Sequence, residues 1–204
     1  MVTTLTAIHI VTGSLACLGM LVAWLTKKGH VLHRRGGQLF VAAMSASLAT
    51  AVVVALWRNN HFLLLIALFS GYFVYTGARL ALVRDGRRSR LDQIITLAML
   101  AVVVCMTALA FTQWQSGDSL YVATAVFIVI AALPAASDYR AGAWPRGNER
   151  IAGHVIRMGG ASIATLTAVF VVNIETDPAF LAWIAPSVVL SPAIAWQIRR
   201  LRRA

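Results

Sequence analysis

A chain of 204 residues that is 59 % hydrophobic and only 12 % charged falls outside the soluble globular class, where roughly 25 % of residues are charged. Its mean hydropathy of +0.76 agrees. Seven acidic residues against 18 Lys and Arg leave a formal charge of +11, which in a polar chain would point to nucleic acid but in a chain this apolar belongs at a membrane surface. A bilayer core takes about 20 mostly apolar helical residues to cross, and seven such runs follow one another along the chain. The first, 2–26, is closed by Lys27 and Lys28, and the second, 37–57, by Arg58, Asn59 and Asn60. The third is 61–83. The fourth, 91–114, follows Ser89 and is opened by Asp92, a spacing that lets both side chains satisfy free N–H groups of a first turn. The fifth, 120–136, is the shortest and carries Pro134; the sixth is 151–174. The seventh, 178–198, follows Thr176 and Asp177, which suit an N-cap before Pro178.

These runs are apolar on every face and about twice the length of a barrel strand, so the spacing predicts helices, whose backbone satisfies itself in hydrocarbon. The expected fold class is all-α, a single bundle of seven transmembrane helices in one domain, 1–204. Of the Lys and Arg residues, Arg58 alone lies at one set of helix ends and the rest lie at the other. By the positive-inside rule the N-terminus faces out and the C-terminus in. The expected location is a bacterial cytoplasmic (inner) membrane, multi-pass, with anionic lipid headgroups on the inner face as partners and no nucleic acid. Residues 1–7 carry no charged side chain, so the first run reads as a retained helix rather than a signal peptide. Cys17 and Cys105 fall within apolar spans and read as small buried residues rather than a disulfide. Lys27 and Lys28, the only lysines, both lie outside the spans, which excludes a buried retinal Schiff base.

Ionisable side chains at membrane depth are costly and are therefore the first functional candidates. Sorted by depth, the histidines form an outer pair, His9 and His61, and an inner group, His30, His33 and His154. Imidazoles from separate helices at one depth provide bis-histidyl haem ligation. The blander reading of each is an interfacial residue or a helix–helix hydrogen bond. The inner loop from Lys27 to Gly37 contains Arg34 and Arg35, whose guanidinium groups suit haem propionates, lipid phosphate or a quinone headgroup. His30 and His33 are a weak metal pair that His154, Asp138 or Glu149 would have to complete. Arg157, inside the sixth span, must pair, snorkel or meet an anion, with Asp138 or Glu149 as the available partner. Gly160, Ala164 and Ala168 read as a small-residue packing stripe. Tyr72, Tyr75 and most of the tryptophans, Trp144 among them, read as interfacial anchors. Pro186 and Pro192 read as kinks in the seventh helix.

With His9-x3-Gly13, Lys28-Gly29, His33-Arg34-x2-Gly37 and His154-x2-Arg157-Met158 in view, the chain resembles a family of bacterial predicted membrane proteins of unknown function. The likeness spans the chain and is most specific over residues 9–40. It implies a multi-helix membrane fold and draws attention to His9, His33, Arg34 and His154; His61 lies outside its pattern.

The first functional expectation is a redox protein binding b-type haem and exchanging electrons with a quinone. His33 and His154 would be the inner ligands, His9 and His61 the outer ones, and Arg34, Arg35 and Arg157 would face acidic substituents. The alternatives are a transporter or small-ligand receptor, with zinc at His30, His33 and His154 or an anion at the inner His/Arg cluster, and an assembly subunit with no ligand.

Overall fold

The computed structural model describes residues 2–203, and every regular element among them is an α-helix. The helices are α1 (Val2–Leu25), α2 (Val31–Trp57), α3 (His61–Leu82), α4 (Arg90–Gln115), α5 (Leu120–Ala141), α6 (Gly147–Asn173) and α7 (Phe180–Arg203). All seven are long and apolar enough to cross a membrane, which fits a multi-pass membrane protein. The chain packs as two compact units, Met1–Val74 and Tyr75–Ala204, with the division inside α3.

In the first unit α1 and α2 form an antiparallel hairpin. Gly29, at φ +79°, turns the chain, and Lys28 Nζ closes the end of α1 by donating to the carbonyls of Ala23 and Trp24 at 2.9 and 2.8 Å. Partial desolvation in that position lowers the Lys28 pKa from its ordinary value. The helix α2 starts at Val31, sooner than the expected 37, so His33, Arg34 and Arg35 lie on helix rather than in a loop. Glycine explains the difference. A Cβ on Gly36 would lie 2.9 Å from the Ala23 nitrogen, and one on Gly19 would lie 2.6 Å from the Phe40 nitrogen. Gly36 therefore marks where two helix backbones touch, not a break in one of them. Around this contact Ala16, Met20, Phe40, Ala43 and Met44 are buried. Within α3, Tyr72 is buried and meets Phe73 edge-on at 5.8 Å, so it is a core residue and not the interfacial anchor expected of it.

In the second unit α4 begins with the expected capping box: Ser89 Oγ accepts from Asp92 N–H, and Asp92 accepts from Ser89 N–H. At its other end Gln113 Oε1 accepts from Thr124 Oγ1 of α5 at 2.7 Å, in a buried bond. The helix α5 continues through Pro134 to Ala141 and ends at Gly142, φ +63°. One missing N–H does not stop a helix whose neighbours re-satisfy it. The helix α6 starts at Gly147 rather than 151, and α7 runs from Phe180 to Arg203, because polar terminal turns lie outside an apolar count. The helix α7 begins at Phe180, two residues after Pro178, so Thr176 and Asp177 are not its N-cap as expected, although Thr176 Oγ1 accepts from Ala182 N–H at 3.2 Å. The expected stripe on α6 is displaced: Ala168 is exposed, whereas Gly159 takes the close contact, where a Cβ would lie 2.6 Å from Ile194 Cδ1.

Candidate functional site

Three half-buried imidazoles are held in the same manner. His9 Nδ1, on α1, lies 3.0 Å from the Ser47 carbonyl of α2, with Ser47 Oγ and Thr50 Oγ1 at 3.1 and 3.3 Å. His33 Nδ1, on α2, lies 2.9 Å from the Ala23 carbonyl of α1. His154 Nδ1, on α6, lies 2.9 Å from the Gly77 carbonyl of α3. A carbonyl oxygen only accepts, so Nδ1 must carry the proton in each case. In the neutral ring the lone pair then sits on Nε2. This is the arrangement that orients a metal-ligating histidine, the backbone carbonyl fixing both tautomer and ring plane.

The backbone makes room for the His154 tether. Gly77 offers its carbonyl to His154 at a position where a Cβ would lie 2.8 Å from Met158 Cε and 3.1 Å from Arg157 Cβ. Between His9 and Ala23 along α1, and between His33 and Ser47 along α2, the helical rise of about 1.5 Å per residue separates the two tethers by about 20 Å.

The other candidates sit elsewhere. His61 is the exposed first residue of α3 and takes no part in the bonds of His9. His30 is the exposed N-cap of α2 and makes no side-chain cap bond. Arg34 and Arg35 are exposed on the first turns of α2. Among the described residues no three His, Cys, Asp or Glu side chains are grouped so as to hold a metal ion.

A buried ionic cluster joins the ends of helices in the second unit. Asp92, 1 % exposed, accepts from Arg79 Nε and Nη2 at 2.8 and 2.9 Å, from Tyr75 OH at 2.7 Å, from Ser89 N–H at 2.7 Å and from Trp144 Nε1 at 3.3 Å. Arg88 donates to Thr96 Oγ1 at 2.6 Å and to the carbonyls of Asp92 and Asp138, with its guanidinium 4.7 Å from the centre of the Trp144 ring. Arg157, 7 % exposed, donates to Asp138 Oδ1 at 2.7 Å. Of the two partners expected for Arg157 it is therefore Asp138 that takes the bond, while Glu149 pairs with Arg202 on the surface.

Tyr75, Arg79, Arg88 and Trp144 escaped sequence reading as members of this cluster. Trp144 is a buried hydrogen-bond donor and not an interfacial anchor. A carboxylate sitting at the second position of the apolar span 91–114, four residues after an arginine, was the available signal for Arg88 and Asp92. Nothing in the spacing pointed to Tyr75 or Trp144.

No protein-family model matches the chain, and neither a curated protein nor a solved structure matches it.

Proposed function

We propose that the protein crosses a bacterial cytoplasmic membrane with its N-terminus out and its C-terminus in, and that it binds b-type haem for electron transfer, with a quinone as the exchanging partner. The one-sided placement of Lys and Arg supports the orientation. The observation that carries the haem reading is the common tether of His9, His33 and His154, each with Nδ1 on a backbone carbonyl of another helix. That tether fixes the ring and, in the neutral form, sets the lone pair on Nε2, the atom through which a haem histidine ligates. Haem would supply the one-electron chemistry. The chain's own part is to hold each ring in one plane and to place cations near acidic substituents, which Arg34 and Arg35 do beside His33 in the sequence.

The test is an optical spectrum of the full chain purified in detergent from haem-supplied cells, oxidised and then dithionite-reduced. A Soret band with sharpened α and β bands on reduction is expected, with loss of haem in His9→Ala or His33→Ala. A colourless, iron-free preparation would overturn the proposal.

A further inference from the structure

Helices α6 and α7 bury two hydroxyls with nothing to bond to. Thr167 and Ser187 are 4 % and 6 % exposed, and among the described residues theirs are the buried serine and threonine hydroxyls that lack a hydrogen-bond partner. Neighbouring hydroxyls on the same helices fold back onto their own backbone: Ser162 onto the Met158 carbonyl at 2.8 Å, Thr165 onto Ala161 at 2.9 Å and Ser191 onto Ser187 at 2.6 Å. Leaving a buried hydroxyl unbonded is costly, so two in one helix pair call for a partner.

The packing register puts the two at one level. Along the antiparallel pair, Asn148 Nδ2 reaches the Leu201 carbonyl, Glu149 pairs with Arg202, and Gly159 lies against Ile194. Continuing that register toward the turn sets Thr167 and Ser187 at the same level along the pair. A third unmet group lies on the same stretch of α7. Pro186, itself buried, has no N–H, so the carbonyl of Ala182, 5 % exposed, lacks the donor that a helix would supply four residues on.

We infer that the α6–α7 pair holds an internal water molecule bonded to Thr167 Oγ1, Ser187 Oγ and the Ala182 carbonyl. The bookkeeping closes: the water donates to the carbonyl and to one hydroxyl and accepts from the other, within the usual two to four bonds of a buried water. Water of this kind also satisfies the backbone that a proline frees inside a membrane helix. The inference does not rest on haem.

The experiment is a double-mutant cycle on the full chain in detergent, with Thr167→Val, Ser187→Ala and the pair of substitutions, read by thermal unfolding and by millisecond hydroxyl-radical footprinting. A held water predicts that each single change lowers Tm by about 2–6 °C, that the double change costs clearly less than the sum, and that radical modification of the buried Pro186 in the wild type disappears in the double variant. Additive or absent Tm changes, with no modification of Pro186 in the wild type, would overturn it. The footprint is read on the wild type and so does not depend on either variant folding.

Discussion

Arg79 meets Asp92 side-on, its Nε and Nη2 at 2.8 and 2.9 Å from the two carboxylate oxygens. The same carboxylate caps α4 and takes the Tyr75 hydroxyl, so one buried side chain ties the end of α3 to the start of α4. Removing its charge leaves the half-buried Arg79 without its partner and puts a neutral amide at the buried centre of these bonds. Asp92→Asn is expected to lower stability by about 3 kcal/mol, a fall in Tm of about 6–12 °C. Thermal unfolding in detergent checks it, and an unchanged Tm would mean that these bonds do not hold the helices.

Glycines that look alike in the sequence should behave differently. Gly19→Ala puts a methyl 2.6 Å from a backbone nitrogen of α2 and is expected to cost about 1–3 kcal/mol through overpacking. Gly37→Ala meets nothing within 4 Å on a helix and should gain about 0.5–1 kcal/mol from helix propensity. The two variants measured side by side test whether α1 and α2 touch where described.

The two acidic residues expected to compete for Arg157 provide a further contrast. Asp138→Asn breaks a buried pair and should cost about 3 kcal/mol or more. Glu149→Gln loosens an exposed pair with Arg202, worth about 0–1 kcal/mol. Equal Tm losses for the two would contradict the burial assigned to Asp138.

The orientation is open to direct labelling. Asn60→Cys, in the turn that carries Arg58, should react with a membrane-impermeant maleimide in intact cells. Arg87→Cys, between α3 and α4, should react only after the cells are opened. Cys17 and Cys105 would be replaced by Ala beforehand, and reversed labelling would invert the topology.

The number and kind of elements were legible because hydrocarbon imposes a length on apolar runs, and all seven runs correspond to helices. Their ends were less legible. Gly147 to Arg150 is polar and helical, and so is the stretch from His33 to Arg35, because an apolar count records what lipid tolerates rather than where hydrogen bonding stops. Gly36 carried an ambiguous signal, since loop and close helix contact favour the same residue. The site was legible in part: His154 and Arg157 stood out by depth, and Asp138 was named as a partner for Arg157. The members contributed by Tyr75 and Trp144 were hidden, because either side chain at a span's end suits an interface as well as a core. The backbone carbonyls of Ser47, Ala23 and Gly77 could not be read at all, since a carbonyl belongs to every residue and only the packing selects one.

The tethers of His9 and His33 run in opposite senses. A side chain of α1 hooks the spine of α2 toward one end of the hairpin, and a side chain of α2 hooks the spine of α1 toward the other. The pair works as a double latch. A slip of one residue, about 1.5 Å, would unfasten both hooks together, so the alignment of the helices and the attitude of the rings are a single mechanical variable. Whatever grips either ring also grips the alignment of α1 against α2.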